Sequence, residues 1–232
     1  MSRARRPNED PEAGLTLVEL IVASTIGLLL LSLMATMFLQ ISRTVADAQR
    51  TKAATGVAWN VSDETTRVIR QGVRVTTSSS TTEGAVVAGS SPTSLLIDSN
   101  VDATVVPAQG SIAPTRVSFS VNAAGHLVEG RRPSTLTSGY FAFGTETTRV
   151  VNGPISTAGT GTDALFVYWT GPNDAPVQVV PSSGGLTAGQ AIQVNAVTVN
   201  VTVDNVLSTG SDPVRLTNKV TMPNIAIVTG GN

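Results

Sequence analysis

Side chains able to do chemistry are sparse in this chain. A single histidine, His126, and no cysteine are present. That composition removes thiolate nucleophiles, disulfides and His-rich zinc sites together, and leaves His126 as the one imidazole on which distant residues could converge. Asp98, Asn100 and Asp102 alternate as the first ligands of a calcium loop do, but Ala103 stands where the sharp turn needs glycine and Gln109 where a bidentate glutamate belongs. Gly159-Thr160-Gly161-Thr162-Asp163 runs into a strand pattern, whereas a phosphate cradle opens a helix, so a turn is expected. Asn60-Val61-Ser62 and Asn200-Val201-Thr202 match glycan-acceptor spacing only. His126 belongs to a turn entering a strand, with no paired acid and nucleophile nearby. Arg131-Arg132 is the candidate binding patch, and Arg67, Arg70 and Arg74 share a helix face if the helix extends that far. No catalytic set, metal site or cofactor is expected. One residue resists a bland reading: Glu19, a lone carboxylate at the mouth of an uncharged run from Leu20 to Ser42.

The elements that position these residues follow from patterning. Leu20 to Leu39 would rise about 30 Å as a helix, the thickness of a bilayer's hydrocarbon core. A segment apolar on nearly every face is too long for an ordinary buried helix, and it also exceeds the 7 to 15 apolar residues of a secretory signal. Basic residues flank it on both sides, Arg3, Arg5 and Arg6 before and Arg43, Arg50 and Lys52 after, so charge asymmetry leaves its orientation open. Beyond it, no proline interrupts the chain up to Gln71-Gly72. Ile41, Val45, Ala48, Val57, Val61 and Val68 mark one stripe, while Arg43, Asp47, Arg50, Lys52, Asp63, Glu64 and Arg67 supply wet faces. Residues 15 to about 71 therefore read as one helix, with Gly27 a weak point and Gly72 a C-cap.

The order of residues at the start carries a resemblance. A polar leader ends in Gly14, then come Leu15-Thr16-Leu17-Val18-Glu19-Leu20 and the apolar run. This resembles the class III signal of type IV pilins and pseudopilins. The finer pattern, with Ile26-Gly27-Leu28-Leu29-Leu30-Leu31 and Val68-Ile69-Arg70-Gln71-Gly72, is similar to PilW-type minor pilins and J-type pseudopilins over about the first 75 residues. The resemblance implies cleavage after Gly14 by a prepilin peptidase and methylation of the new amino terminus at Leu15, where the family usually has phenylalanine. It implies that Glu19 meets the amino terminus of a neighbouring subunit and sets axial register. The implied partners are the peptidase, other pilin or pseudopilin subunits, an inner-membrane assembly platform and the lipid bilayer. The implied location is the inner membrane, with the C-terminal domain outside the cytoplasm, and then a pilus or pseudopilus. A pilus-associated adhesin or DNA-uptake subunit is the alternative, although a net charge of −1 gives no footprint for nucleic acid.

The expected organisation is a leader over 1–14, a membrane and assembly helix over 15–42, its amphipathic continuation over 43–74 and a β-rich domain over 75–232. The fold class is α+β: a long N-terminal helix, transmembrane then amphipathic, packed on a mostly antiparallel β domain. Strands are expected at Ser94–Asp98, Arg116–Val121, Leu127–Glu129, Thr148–Val151, Leu165–Trp169, Val177–Val180, Ile192–Asp204 and Leu216–Met222. The polar run Thr76 to Gly84 reads as a loop. Apolar alternation changes phase between Val194 and Val197, which predicts a β-bulge near Asn195-Ala196. Tyr140-Phe141-Phe143 and Phe166-Tyr168-Trp169 read as packing aromatics.

Overall fold

The computed structural model describes residues 16–78, 81–106, 111–172, 174–204 and 212–225. Two compact units divide the chain, one ending at Gln49 and the other starting at Arg50. Helix α1, Leu17–Arg70, is continuous as its sequence requires. Its first unit holds the apolar stretch, long and apolar enough to cross a membrane, with Leu20, Leu29, Met34 and Phe38 all exposed. Ile41 and Val45, placed on a buried stripe by their spacing, are exposed there as well. Hydroxyls within this stretch are satisfied by their own helix: Ser24 donates to the Leu20 carbonyl at 2.8 Å, Thr25 to Val22 at 2.8 Å, Ser32 to Leu29 at 2.9 Å and Thr36 to Leu33 at 2.8 Å. Such back-bonding removes the penalty a bare hydroxyl would carry in hydrocarbon.

The second unit is an α+β domain built around the end of α1. Ala54, Ala58, Val61, Thr65, Val68 and Ile69 recur at three- and four-residue steps and are buried. The helix closes with tight bonds, Gln71 N–H to Val68 O at 3.2 Å and Gly72 N–H to Ile69 O at 3.0 Å. Glycine at 72 serves close approach, since a Cβ there would lie 2.9 Å from Met222 Sδ and 3.2 Å from Ala85 Cβ.

A hairpin follows, β1 (Val75–Ser78) with β2 (Thr81–Glu83), where a loop was expected. The larger sheet contains β3 (Ser94–Val106), β4 (Ser111–Val121), β5 (Leu127–Thr137), β6 (Tyr140–Phe143) and β7 (Thr147–Asn152). Its order is β3-β4-β5, and β6 and β7 share the outer edge of β5, the former at Ser134–Thr137 and the latter at Leu127–Arg131. After β8 (Phe166–Thr170) and β9 (Val177–Val179) comes a one-turn helix, α2 (Ala188–Ala191), then β10 (Ala196–Val203) and β11 (Val214–Thr221), in sheet order β11-β10-β8-β9. Every pairing is antiparallel.

The expected bulge at Asn195-Ala196 is corrected. Thr187 and Gln190 form a capping box that nucleates α2, so Ile192 and Val194 lie in a helical turn and its exit rather than on the strand. The phase change marks a change of element. A register shift does occur in β3, between Ser99 and Thr104, with Asp102 at φ 55°.

One core joins the helix to both sheets: Val61, Val68 and Ile69 with Leu95, Ile97, Phe119 and Leu127, and with Phe166, Tyr168 and Val199. Each fully buried side chain of this size contributes about 1.5–3 kcal/mol. The Tyr168 hydroxyl donates toward the carbonyls of Ser91 at 2.8 Å and Ser94 at 3.0 Å, which lets a polar tip enter the core. Tyr140, Phe141 and Phe143 are only half-buried.

Candidate functional site

Gly14 and Leu15 lie outside the described residues. Thr16 precedes the first helical residue, and its Oγ1 accepts from Glu19 N–H at 3.3 Å. The Glu19 carboxylate accepts in return from Thr16 N–H and Oγ1–H, both at 3.3 Å. This reciprocal pair is a capping box, and it places a negative charge at the positive end of the helix dipole. The Thr16-x-x-Glu19 signature stood in the sequence, where Glu19 was read instead for its position beside the apolar run and for the register role that the resemblance implies.

Arg131 and Arg132 do not form a patch. Adjacent residues on a strand point to opposite faces, and β5 sends Arg131 to the helix side and Arg132 to the other. On the helix side Arg131 bonds Glu64 of α1 at 2.9 Å and Glu129 at 2.7 Å, and it pairs with Asp102 of β3. Arg149 of β7 bonds the same Glu64 oxygen at 2.6 Å and the second Glu129 oxygen at 2.6 Å, and Arg67 reaches Glu64 at 2.7 Å. Three arginines thus meet three carboxylates where the helix crosses the larger sheet. Glu64 and Arg67, expected on wet faces, are inside this cluster; the Glu64 side chain is 16% exposed.

Burial works against the Glu64 charge, but the Arg67 hydrogen bond and the charges of Arg67, Arg149 and Arg131 prevail and hold its carboxyl below the usual range. Glu129, with a side chain 0% exposed, goes the other way: burial outweighs the Arg149 hydrogen bond, and Glu64 adds repulsion. Burial and the neighbouring Arg149 charge lower Arg131. The cluster fixes a helix on a sheet and presents no substrate-accessible acid–base pair.

On the opposite face, Arg132 bonds Glu146 at 2.9 Å and Ser118 donates to the same carboxylate at 2.5 Å. Gly130 makes room for it, because a Cβ there would stand 2.0 Å from Glu146 Oε1 and 2.4 Å from Ser118 Oγ. On the same face Arg116 of β4 grips Asp98 of β3 through two bonds, Nε to Oδ1 at 2.8 Å and Nη2 to Oδ2 at 2.9 Å, and also pairs with Glu83 of β2. The Phe143 ring covers the guanidinium at 4.0 Å. Burial pushes Asp98 up to about 6 despite the Arg116 bonds, with Glu83 adding to the rise.

The remaining candidates resolve as local structure. Helix α1 ends at Arg70, so Arg74 leaves the proposed basic face and donates to the Ile192 carbonyl at 3.2 Å. Asp98 is bound to arginine, Gln109 lies outside the described residues, and no group of acids or histidines among the described residues could hold a metal ion. His126 sits in the turn before β5, its N–H on Asn122 Oδ1 at 2.9 Å. Gly161–Asp163 is a 3-10 turn leading into β8. Asn200 spends its amide on the carbonyls of Thr162 and Ala164, both at 2.8 Å. A cavity of about 900 Å³ near Arg74, Thr170, Ile192, Met222 and Ile225 has Arg74 as its single charged lining group among the described residues.

Compared with known proteins, the chain matches no family model, and no curated protein matches it in sequence.

Proposed function

We propose that this chain is a structural subunit of the pilin and pseudopilin kind, cut after Gly14 and assembled through α1, with the β domain as its outward part. The observation that carries the reading is α1 itself: one uninterrupted 54-residue helix, with Glu19 in its first turn and an exposed apolar stretch behind it, whose last turns are built into the core of an α+β domain. A helix able to cross a membrane supports membrane anchoring, and the large share of α1 outside the domain core supports its use in assembly with other apolar helices.

In this reading Leu15 carries the new, methylated amino terminus and Glu19 sets register against a neighbour's, while a minor or initiating role follows the PilW-type and J-type resemblance. The partners are then the prepilin peptidase, other subunits and the inner-membrane assembly platform, and the pilus or pseudopilus is the destination. The alternative, an adhesin or DNA-uptake subunit, loses its basic patch, since Arg131 and Arg132 point apart and each is bonded to carboxylates.

The test is intact mass and amino-terminal sequencing of the membrane-extracted protein from cells with and without their prepilin peptidase. A peptidase-dependent start at Leu15 is expected. An uncut chain in both cells would sink the reading and leave a membrane-anchored β domain.

A further inference from the structure

The outer-face cluster has a charge imbalance that the helix-side cluster lacks. Glu83 and Asp98 share one guanidinium, so two negative charges meet one positive charge. Asp98 has a side chain 0% exposed, while Glu83 is 27% exposed and sits on the hairpin. The charged groups facing Asp98 are Arg116 of β4 and Glu83 of β2. Strand β6 contributes the Phe143 ring, and β1 contributes Thr77, which donates to Glu83 at 3.2 Å. Arg132 and Glu146, the next charges on that face, are bonded to each other. An excess negative charge in such a place is relieved most simply by a proton.

The geometry points to a proton-operated clasp: uptake of one proton by the Glu83–Asp98–Arg116 cluster on mild acidification fastens the β1–β2 hairpin to the larger sheet, and release of that proton loosens it. With Asp98 neutral, its repulsion of Glu83 disappears and Arg116 is left with one carboxylate partner, on the hairpin. With Asp98 charged, the deeper acid competes for the same guanidinium and repels Glu83. Burial of Asp98, which pushes its carboxyl up to about 6, places the change between neutral and mildly acidic pH.

Hydrogen–deuterium exchange of the full chain in detergent micelles tests this, comparing amides of residues 75–78 and 81–83 at pH 7.5 and 5.5 after correction for the intrinsic rate, with β10 amides as the internal reference. Hairpin protection is expected to rise about three-fold at the lower pH relative to β10, since pH 5.5 lies only a little below the value at which Asp98 takes up its proton. Asp98→Asn should hold high protection at both pH values. Glu83→Gln, at a more exposed position that folding tolerates better, should give a flat profile. Equal wild-type protection at the two pH values, or a wild-type-sized rise surviving in either variant, overturns the clasp.

Discussion

Glu64 and Asp98 are both carboxylates drawn out of water and both bonded to arginine, yet folding moves them in opposite directions: Glu64 down, Asp98 up. The difference lies in how many cations each meets and how deeply it sits. Three arginines from α1, β5 and β7 converge on Glu64, which keeps some exposure. One arginine serves both Asp98 and Glu83, and the Asp98 side chain is fully buried. Ion pairing at the helix–sheet junction therefore favours charge, while the hairpin face favours a proton.

Removing the better-compensated acid should break the comparison most severely. Glu64→Gln leaves Arg67, Arg131 and Arg149 crowded around Glu129, and a loss of about 3 kcal/mol is expected in denaturant unfolding of the detergent-solubilised chain at pH 7. Asp98→Asn at the same pH should lose much less, because Arg116 keeps Glu83; equal losses would show that the charge count is not what separates the two sites.

The pH dependence sharpens the contrast. Asp98 binds its proton more tightly folded than unfolded, so its contribution is full below its unfolded value of 3.8 and is lost as the pH rises through about 6. Glu64 is the reverse: its contribution is full above its unfolded value of 4.5 and disappears as the pH falls through the depressed folded value. The wild-type Tm should rise from pH 7.5 to about 5.5 and fall under stronger acid. Asp98→Asn should remove most of the rise, leaving the share that the raised Glu129 carboxyl supplies, and keep the fall, and thermal unfolding across that range reads both.

A smaller effect is expected where glycine permits an ion pair. Gly130→Ala displaces Glu146 from Ser118 and Arg132, for a loss of about 1 kcal/mol in the same denaturant assay. Glu146→Gln in the Gly130→Ala background should then cost little more. Smallest for the domain is Thr16→Ala. It removes the first-turn cap, worth about 1 kcal/mol locally, and should speed amide exchange of Leu17 to Leu20 without moving the domain's Tm.

Much of the frame was legible in the sequence. An uninterrupted run without proline revealed α1, and buried alternation revealed strands such as β4, β8 and β10, whose apolar residues face one core. The hairpin β1–β2 was missed because its residues are mostly Thr and Ser and only Val75 is buried. Strand β6 was missed because its rings are half-buried on an edge, where no alternation is imposed. A capping box at Thr187 and Gln190 was visible but lost among the valines that follow. The ion clusters were illegible for another reason. Glu64 meets Arg131 and Arg149 from 67 and 85 positions away, and only the topology brings them together. That Arg131 and Arg132 must part company on a strand could have been read from the alternation rule alone.

The back-bonded hydroxyls of Ser24, Thr25, Ser32 and Thr36 have a mechanical consequence. With those donors turned inward, the apolar stretch is a smooth rod with no sideways polar teeth, and if it lay in lipid against another such rod, sliding would meet only the corrugation of methyl groups. Axial position would then be a soft coordinate along the stretch, and anything that arrested the slide would act through features at its ends.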